Sequence, residues 1–392
     1  MRVLFLFIGE HHHVFHSLPL AAELATLRPG WQIEVAVSDQ RHLGCIDTVR
    51  SVYPGFAPPV RQLPLPALLK PLHALGWISG QGRIPRLLAA LPWLRTFDAI
   101  VVPERTSTIL RHFLSGRTRL IFTPHGAGDR AVTFDARDRH FDFALVAGEK
   151  SERRMLQEGT IRPGHYATNG YVKMDLMHRF GSRRAGLFRN ARPTVLYAPH
   201  FRAEFSSWPA MGREVIDIFR RQDRFNLIVA PHIRLFQNAA AATKAQIQAL
   251  AMQDRIIIDL DSDRLVDMTY TSAADVYLGD VSSQVYEFLA RPRPCVFLNS
   301  HGVAWQQDPN YRLWTLGEVL DSTKDLLPAI ERAPARHAQF LALQRAAFAE
   351  SVGGDPAGAA GRGAGAIAAW LEASVSAARG PDTGPARQQQ PD

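Results

Sequence analysis

The stretch that decides the fold is Ala273–Asn299, AADVYLGDVSSQVYEFLARPRPCVFLN. A short apolar run, VYLG, is followed by the turn DVSS, an amphipathic segment and a second apolar run, CVFL. A strand, a helix and another buried strand in this order are typical of a parallel sheet covered by helices. The turn between strand and helix carries Asp280, Ser282 and Ser283, and an acid with two hydroxyls at that point suggests a functional site.

Similar apolar runs recur along the chain, with longer amphipathic segments between them. The first series is VLFLFI, WQIEVAV, FDAIVVP, RLIFTP and FDFALVAG, and the second is TVLYAP, FNLIVAPH, RIIIDL, ADVYLGD and PCVFLN. Each series predicts a parallel sheet with helices on its faces, which is the α/β class. We therefore predict two doubly wound Rossmann-like domains that face each other across a cleft, with ligands at the carboxyl ends of the strands.

The boundary between these domains is expected in the basic, turn-rich segment HRFGSRRAGLFRNARP, His178–Pro193. We predict one domain over residues 1–185 and a second over residues 186–378. The ending RGPDTGPARQQQPD is polar and contains prolines, so residues 379–392 are predicted to form a disordered tail.

The composition excludes a disordered chain. The 392 residues are 46% hydrophobic and 21% charged, which allows large buried cores. The formal net charge of +8 favours phosphorylated or polyanionic partners, or an anionic membrane surface, without choosing among them. Mixed aromatic and basic motifs that would stack nucleic-acid bases are not apparent, so we expect no nucleic-acid partner.

The cysteines and the apolar runs indicate a cytoplasmic location. The chain has two cysteines, Cys45 and Cys295, which provide neither a disulfide framework nor a set of zinc ligands. The start MRVLFLFIGEHHH is too short and too quickly interrupted by Glu10 for a signal peptide, and we predict a buried first strand. Lys70 and His73 interrupt the best candidate for a membrane span, so any membrane contact would be peripheral.

Three histidines follow predicted strands: His125 in LIFTPHGAG, His200 in TVLYAPHFR and His232 in FNLIVAPH. An imidazole at the carboxyl end of a strand can accept a proton from an attacking hydroxyl, since its ordinary pKa is about 6.5. A turn histidine that only hydrogen-bonds its own loop is the alternative at each position. Gly126 beside His125 would let the backbone approach a ligand.

The groups expected to meet phosphate lie in the second half of the chain. Arg202 can pair with a phosphate through its planar fork, or it is a solvated loop arginine. Ser282 and Ser283 can cap the following helix, and the same N–H groups and hydroxyls suit a nucleotide diphosphate. Glu287, one helical turn further, would meet a ribose hydroxyl or face solvent.

Three further segments can each be interpreted as structural or as functional. They are a histidine-rich segment, an aspartate-rich segment and an amphipathic segment. The segment HHHVFH suits a cleft-lining loop in which His11, His12 and His13 contact an acceptor, or a transition-metal site. DLDSD, Asp259–Asp263, is expected to be a cap and loop, and we predict no bound metal. Residues 63–97 are apolar and basic, which fits core-packing helices or helices at an anionic membrane interface.

Taken in order, several motifs resemble those of the CDP-glycerol glycerophosphotransferase family of the teichoic acid polymerase type. They are TPHGAG, TNGYVKMD, VLYAPHFR, IVAPH and SAADVYLGDVSSQVYEFLARPRPCVF, with a weaker echo at GRGAGAIAAWL. The resemblance spans about residues 120–300 and depends on the order of the motifs. It implies the GT-B fold, with residues 1–185 on the acceptor side and residues 186–378 binding the nucleotide donor.

The resemblance also implies roles for individual residues. His125, followed by Gly126, matches the family's general base, and His232 matches a histidine that steadies the donor phosphate. The turn with Asp280, Ser282 and Ser283 would hold the phosphates. The family's glycine-tyrosine-proline-arginine pattern is close to Gly170–Lys173, which makes Lys173 a further cleft candidate together with His200.

The predicted activity is transfer of glycerol phosphate from a CDP-activated donor to a hydroxyl of an envelope or capsular glycan or lipid-linked acceptor, with release of CMP and no cofactor. The enzyme would be cytoplasmic, and peripheral attachment to the inner face of the cytoplasmic membrane is compatible with this location. A GT-B glycosyltransferase that uses a nucleotide sugar is the alternative, since the same turn would bind either donor. A non-catalytic nucleotide or glycan sensor is a third hypothesis.

Overall fold

A computed structural model describes residues 1–69, 71, 82–125, 135–180 and 186–379. In these residues, seven strands form a first sheet: β1 Arg2–Phe7, β2 Gln32–Val37, β3 Val60–Gln62, β4 Ala99–Val102, β5 Arg119–Phe122, β6 Phe143–Val146 and β7 Tyr166–Thr168. Six strands form a second sheet: β8 Thr194–Ala198, β9 Asn226–Val229, β10 Ile256–Ile258, β11 Val276–Gly279, β12 Cys295–Leu298 and β13 Glu318–Leu320.

The strands alternate with helices along the chain. The first sheet is accompanied by α1 Val14–Leu27, α2 Arg41–Arg50, α3 Arg83–Ala89, α4 Leu91–Leu94, α5 Glu149–Gln157 and α6 Val172–Phe180. The second half of the chain forms α7 Arg213–Arg220, α8 Ala241–Gln248, α9 Thr269–Ala273, α10 Gln284–Phe288, α11 Leu326–Arg336, α12 Ala338–Val352 and α13 Ala359–Arg379. Short 3₁₀ helices connect several of these elements, among them His11–His13, Thr106–His112, Ala136–His140 and Asp263–Leu265.

Both sheets are parallel, and the six strands of the second follow the same order as the first six of the first sheet, which has one further strand. The first runs β3-β2-β1-β4-β5-β6-β7 and the second β10-β9-β8-β11-β12-β13. The order reverses between β1 and β4 in the first sheet and between β8 and β11 in the second. In open α/β sheets, a crevice forms at the carboxyl ends of the strands on either side of such a reversal. This architecture confirms the predicted α/β class with two doubly wound sheets.

The apolar runs seen in the sequence form the cores. Strand β1 is buried from Val3 to Phe7, and β11 is buried along its whole length, because helices cover both faces of each sheet. One apolar cluster covers a face of each sheet and joins them, while the opposite faces are covered by two separate clusters. The two sheets therefore share a continuous core across part of their boundary.

The last helix, α13, packs against α1 and α6 beside the first sheet, although chain order alone had assigned it to residues 186–378 with the second sheet. Small residues allow this close contact. A Cβ atom at Gly363 would lie 2.5 Å from Leu20 Cδ2 and 2.9 Å from Leu145 Cδ1. Arg28 at the end of α1 also donates to Glu372 of α13, at 2.7 Å from Nε. The chain thus crosses back to the first sheet after completing the second.

We expect Gly363→Val to lower the free energy of unfolding by about 1–3 kcal/mol, because the new side chain would be forced into packed atoms of α1 and β6. Gly365→Val is the matched control, since a Cβ there meets no atom within 4 Å and the helix-propensity change is the same. Urea denaturation of both variants measures the difference. Equal losses in the two variants would contradict close packing at Gly363.

Four of the sequence-based predictions fall partly or wholly outside the described residues. Gly126 is not described, and neither are residues 70 and 72–81 of the segment 63–97. Residues 181–185 of the boundary segment and residues 380–392 of the predicted tail also lie outside. Of the parts that the structure describes, no helix is long and apolar enough to cross a membrane.

Candidate active site

The carboxyl edges of the two sheets face each other. His11, after β1, lies with Nε2 at 3.5 Å from Oδ1 of Asp263, which follows β10. Tyr171, after β7, donates its hydroxyl at 3.3 Å to Glu287 of α10, which follows β11. Because each contact joins segments that leave carboxyl ends of strands, the crevices of the two sheets open toward one cleft.

His125 lines this cleft after β5, and its hydrogen bond determines its tautomer. Nδ1 lies 2.7 Å from the carbonyl oxygen of Pro103, which can only accept, so Nδ1 carries the proton. In the neutral ring Nε2 is then the acceptor. The surrounding cleft lowers the pKa of His125 by desolvation, and the charge of Arg105 lowers it further, while the Pro103 carbonyl opposes both. As a residue, His125 is exposed, so a substrate can approach it from the cleft.

Other histidines of the first sheet surround His125. The His13 ring stacks on it with centroids 3.8 Å apart, and the rings of His12 and His16 lie 6.3 and 6.2 Å away. The pKa values of His12, His13 and His16 are lowered well below 6.5, first by burial and then by neighbouring positive groups. His11 has a lowered pKa for the same first reason, with Asp263 opposing. These rings are neutral at physiological pH, so His125 is surrounded by uncharged imidazoles.

His200 and His232 have the opposite tautomer. The backbone N–H of Arg202 donates to His200 Nδ1 at 3.0 Å, and the N–H of Arg234 donates to His232 Nδ1 at 3.2 Å. Because a backbone N–H can only donate, each Nδ1 is the acceptor, and the neutral ring carries its proton on Nε2. The two ring centroids are 5.8 Å apart. Of these two rings, that of His232 is half-buried and can offer its Nε2–H to the cleft, whereas Nε2 of His200 is buried.

Asp280 supports the loop that carries His200. Its carboxyl is fully buried, and Oδ2 accepts from the N–H groups of His200 at 2.8 Å and Ser207 at 2.9 Å. Burial raises the pKa of Asp280 to about 6, although these hydrogen bonds oppose the shift. In this structure Asp280 lies behind the site rather than on its surface, and it positions the loop.

The raised pKa of Asp280 predicts a pH-dependent stability. The protonated carboxyl of Asp280 is favoured in the folded protein, which stabilises the folded state. This stabilisation is fully present below about pH 4 and is lost as the pH rises through about 6. We expect the free energy of unfolding of the wild type, relative to Asp280→Asn, to fall by about 3 kcal/mol between about pH 4 and pH 7. Denaturant titrations across this range measure the difference. Parallel curves for the two proteins would show that Asp280 titrates normally.

The remaining predicted phosphate ligands lie around this turn. Ser282 is buried and its hydroxyl accepts from the N–H of Gln284 at 3.4 Å, while Ser283 is half-buried at the start of α10. Arg202 is half-buried beside Glu204, with 3.5 Å between Nη1 and Oε1. Helix α10 has five residues, so its dipole is small and the hydroxyls and N–H groups matter more.

Comparison with known families identifies the chain. Residues 121–353, more than half of the sequence, match the family described as CDP-glycerol:poly(glycerophosphate) glycerophosphotransferase. The chain belongs to this glycerophosphotransferase family. The resemblance inferred from the order of the motifs is thereby confirmed. Among curated proteins, no sequence matches the chain.

Solved structures resemble the chain along nearly its whole length. The wall teichoic acid polymerase TagF, soaked with CDPG, is 12% identical, with 97% of this chain and 90% of that chain covered and a TM-score of 0.63. The UDP-GlcNAc 2-epimerase of Neisseria meningitidis, bound to UDP-GlcNAc, is 13% identical, with 95% and 100% covered and a TM-score of 0.59. These likenesses show the fold, which is GT-B as predicted.

In this member of the glycerophosphotransferase family, Glu287 does not face solvent. Its Oε1 lies 2.6 Å from Nζ of Lys173, and both side chains are buried, with exposures of 7% and 6%. Tyr171 is the third member of this group, and burial raises its pKa well above 10. Lys173, which was predicted to line the cleft, therefore forms an ion pair with Glu287 that links the two sheets.

Glu104 is a site residue that the sequence analysis missed. It follows β4 at the strand-order reversal, is buried, and has a pKa raised by burial, with Ser107 and Thr106 opposing. A Cβ atom at Gly9 would lie 2.6 Å from His13 Nδ1 and 3.5 Å from Glu104 Cγ, so glycine allows this close packing. The run FDAIVVPER, which places Glu104 after a strand, was the signal available in the sequence.

The segment DLDSD forms a hydrogen-bonded loop. Asp259 accepts from the hydroxyl of Tyr270 at 2.7 Å and from the N–H of Ser262 at 3.0 Å. Ser262 in turn accepts from the N–H of Arg264 and caps the next short helix. Within the described ranges, no group of three or more histidine, cysteine, aspartate or glutamate residues is arranged to hold a metal ion.

Proposed function

We propose that the protein transfers glycerol phosphate from CDP-glycerol to a hydroxyl of an acceptor and releases CMP. The acceptor oxygen would attack the phosphorus that bears glycerol and lose its proton. The bond from that phosphorus to the bridging oxygen would break, and its electron pair would leave with CMP. One phosphorus–oxygen bond forms as another breaks, and no oxidant or reductant is needed.

His125 is the proposed general base. Its Nε2 is the unprotonated ring nitrogen of an exposed residue, and the lowered pKa keeps the ring neutral at physiological pH. The hydrogen bond to Pro103 orients the ring and stabilises the imidazolium that forms when Nε2 takes the acceptor proton.

The donor phosphates are proposed to bind at the second sheet. His232 would donate through Nε2–H, with Arg202 and the hydroxyls of Ser282 and Ser283 adding donors, and the buried His200 would support the loop that carries Arg202. These donors would stabilise the negative charge that develops on the bridging oxygen as CMP leaves. The proposal includes no metal and no organic cofactor.

The observation that carries this proposal is the pair of opposed tautomers. A phosphoryl transfer between two oxygens needs a proton acceptor at the attacking oxygen and donors at the leaving one. His125 would supply the acceptor nitrogen and His232 the donor nitrogen, and each tautomer is determined by a backbone group that can play only one role. Membership of the glycerophosphotransferase family supports the same assignment.

We propose that the acceptor is a polymer of glycerol phosphate, or a glycan or lipid-linked precursor of a teichoic-acid-like or capsular polymer, used at the inner face of the cytoplasmic membrane. Exposed apolar side chains near basic ones support peripheral attachment. Leu68 is 90% exposed, and Ile84 and Leu88 on α3 are 41% and 38% exposed, beside Arg83 and Arg86. Such a combination suits an anionic interface.

Product analysis tests the proposed reaction. The purified protein is incubated with an acceptor extract and either CDP-glycerol or nucleotide sugars, and the released nucleotide is identified. Release of CMP from CDP-glycerol, with glycerol phosphate added to the acceptor, is the expected result. Release of a nucleoside diphosphate from a nucleotide sugar would replace the proposal with glycosyl transfer; a structure of similar fold, an epimerase, is bound to the nucleotide sugar UDP-GlcNAc.

A further inference from the structure

Two neighbouring strands of the second sheet end in the same sequence pattern. Residues 198–202 read APHFR, beginning at the last residue of β8, and residues 230–234 read APHIR, directly after β9. The two strands pair in parallel, so both segments leave the carboxyl edge of the sheet side by side. The proposed reaction uses Arg202 of the first segment but not Arg234, its counterpart in the second.

The two segments also fold alike. In each, the backbone N–H of the arginine donates to Nδ1 of the histidine two residues earlier, at 3.0 Å from Arg202 to His200 and at 3.2 Å from Arg234 to His232. The N–H of His232 donates at 3.0 Å to the carbonyl of Pro199, which joins one segment to the other. The backbone therefore places Arg234 beside His232 as it places Arg202 beside His200.

The ring of Phe201 holds the side chain of Arg234 next to His232. Cζ of Arg234 lies 4.4 Å from the centroid of the Phe201 ring, and the centroid of the His232 ring lies 4.5 Å from the same point. The face of an aromatic ring attracts a guanidinium, whose N–H groups remain available for an anion. A cation is thus kept close to the ring that is proposed to donate through Nε2–H.

The charge of Arg234 is not neutralised by the described part of the protein. No carboxylate among the described residues forms an ion pair with it, and the residue is exposed. Arg202, in contrast, has Nη1 at 3.5 Å from Oε1 of Glu204. An arginine without an acidic partner at the carboxyl edge of a parallel sheet, where ligands bind, attracts an anionic ligand.

The proposed reaction increases the negative charge on the leaving group. When the bond to the bridging oxygen breaks, its electron pair stays on that oxygen, and the phosphate of CMP changes from a monoanion to a dianion. The neutral ring of His232 supplies a hydrogen bond without a positive charge, and Arg202 shares its charge with Glu204. A second cation beside His232 would match the dianion better than Arg202 alone.

We propose that Arg234 is a further phosphate ligand of the donor site and stabilises the departing nucleotide phosphate. This inference rests on the proposed function and adds a specific residue to its donor site. The chemical group recognised is the phosphate of the nucleotide. The paired segments thereby supply two arginines to one donor, and Phe201 is the positioning residue for Arg234.

Arg234→Gln tests this role, because glutamine removes the charge and keeps the backbone N–H that donates to His232. Titration calorimetry with CMP should show binding about 10–100-fold weaker than in the wild type, the effect of losing a hydrogen bond to a charged group. The binding of cytidine, which has no phosphate, should be unchanged. The kcat/KM for CDP-glycerol should fall in the same range, with the acceptor KM unchanged. Arg234→Lys, which keeps the charge without the planar fork, should recover part of both losses.

Arg61→Gln is the matched control. Arg61 is also exposed, and its Cζ lies 4.4 Å from the centroid of the Trp93 ring, but it belongs to β3 at the edge of the first sheet. This variant should bind CMP and turn over CDP-glycerol as the wild type does. Equal losses in Arg61→Gln, or unchanged CMP binding in Arg234→Gln, would overturn the role of Arg234. A loss of cytidine binding as large as the loss of CMP binding would also overturn it, because the effect would then be structural.

A titration with UDP separates this inference from the proposed reaction. Weaker binding of UDP in Arg234→Gln, together with release of UDP from a nucleotide sugar by the wild type, would sustain the phosphate ligand and refute transfer of glycerol phosphate. Release of CMP from CDP-glycerol at the same kcat/KM in Arg234→Gln and in the wild type would sustain the reaction and refute the role of Arg234.

Discussion

Replacing His125 by alanine is expected to lower kcat by about 10²–10⁴-fold, the usual contribution of a general base. Binding of CDP-glycerol should be nearly unchanged, because the proposed donor ligands lie on the second sheet. Stopped assays of CMP release give the rate, and thermal shift with CDP-glycerol reports donor binding. Full activity in His125→Ala would refute the assigned role, and loss of donor binding would indicate a wider structural effect.

His165 provides a matched control for His125. Its Nδ1 also contacts a carbonyl oxygen, that of Asp142 at 2.8 Å, so the two histidines have the same type of hydrogen bond. His165 precedes β7 and therefore lies at the amino end of that strand, away from the cleft edge. His165→Ala should keep kcat within a few-fold of the wild type, and a loss as large as that of His125→Ala would remove the distinction between the two positions.

The pH profile of the wild type gives a second measure of the same role. A base must be neutral to act, and the pKa of His125 is lowered from 6.5 by its surroundings. The acid limb of kcat/KM should therefore have its midpoint below 6.5, with activity retained as the pH falls to that value. A midpoint above 6.5 would contradict the environment of His125.

Replacing Lys173 by methionine is expected to lower the free energy of unfolding by about 3–5 kcal/mol. The change removes the partner of Glu287 while that carboxylate stays buried, which leaves an uncompensated charge. Among the described residues, the hydroxyl of Tyr171 then remains as a donor to Glu287, and it compensates only in part. Guanidinium denaturation of the wild type and the variant measures the effect.

A double variant identifies the cause of this loss. In Lys173→Met with Glu287→Gln, no charge remains at the pair, and glutamine can still accept from Tyr171, so most of the lost stability should return. The exposed pair of Arg213 and Asp217 supplies the comparison: Arg213→Met should cost about 0–1 kcal/mol. A loss below about 1 kcal/mol in Lys173→Met, or no recovery in the double variant, would contradict a buried charge as the cause.

The ion pair also bears on function, since Lys173 belongs to α6 beside the first sheet and Glu287 to α10 beside the second. Helix α10 directly follows Ser282 and Ser283. The contact therefore fixes the proposed phosphate turn relative to the sheet that carries His125. This gives Glu287 a structural partner that its position one turn after Ser283 did not predict.

Much of the fold follows from local sequence. The apolar runs of four to six residues that form β1, β8 and β11 are recognisable because both faces of a parallel strand are buried. His125, His200 and His232 could be assigned to strand ends from the same runs. Glu104 also follows an apolar run, but a single glutamate after a strand is usually a solvated loop residue, so its burial was not predictable from the sequence.

The partners of these residues depend on contacts between distant segments. The tautomer of His125 follows from its hydrogen bond to the carbonyl of Pro103, which is distant in the chain. The tautomer of His200 follows from the N–H of Arg202, which reaches Nδ1 of His200 only in the folded loop. Arg105, just before the 3₁₀ helix Thr106–His112, pairs with Asp138 of the 3₁₀ helix Ala136–His140. No periodicity in the sequence could have brought them together.

The sequence by itself determined the α/β class, the two series of strands, the family resemblance and the placement of candidate residues at strand ends. These depend on patterns of burial and turn chemistry within a few neighbouring residues. The tertiary structure decided that Lys173 pairs with Glu287, that Asp280 lies behind His200 and that α13 returns to the first sheet. These depend on which surfaces meet when the chain closes, and that is a property of the whole packed molecule.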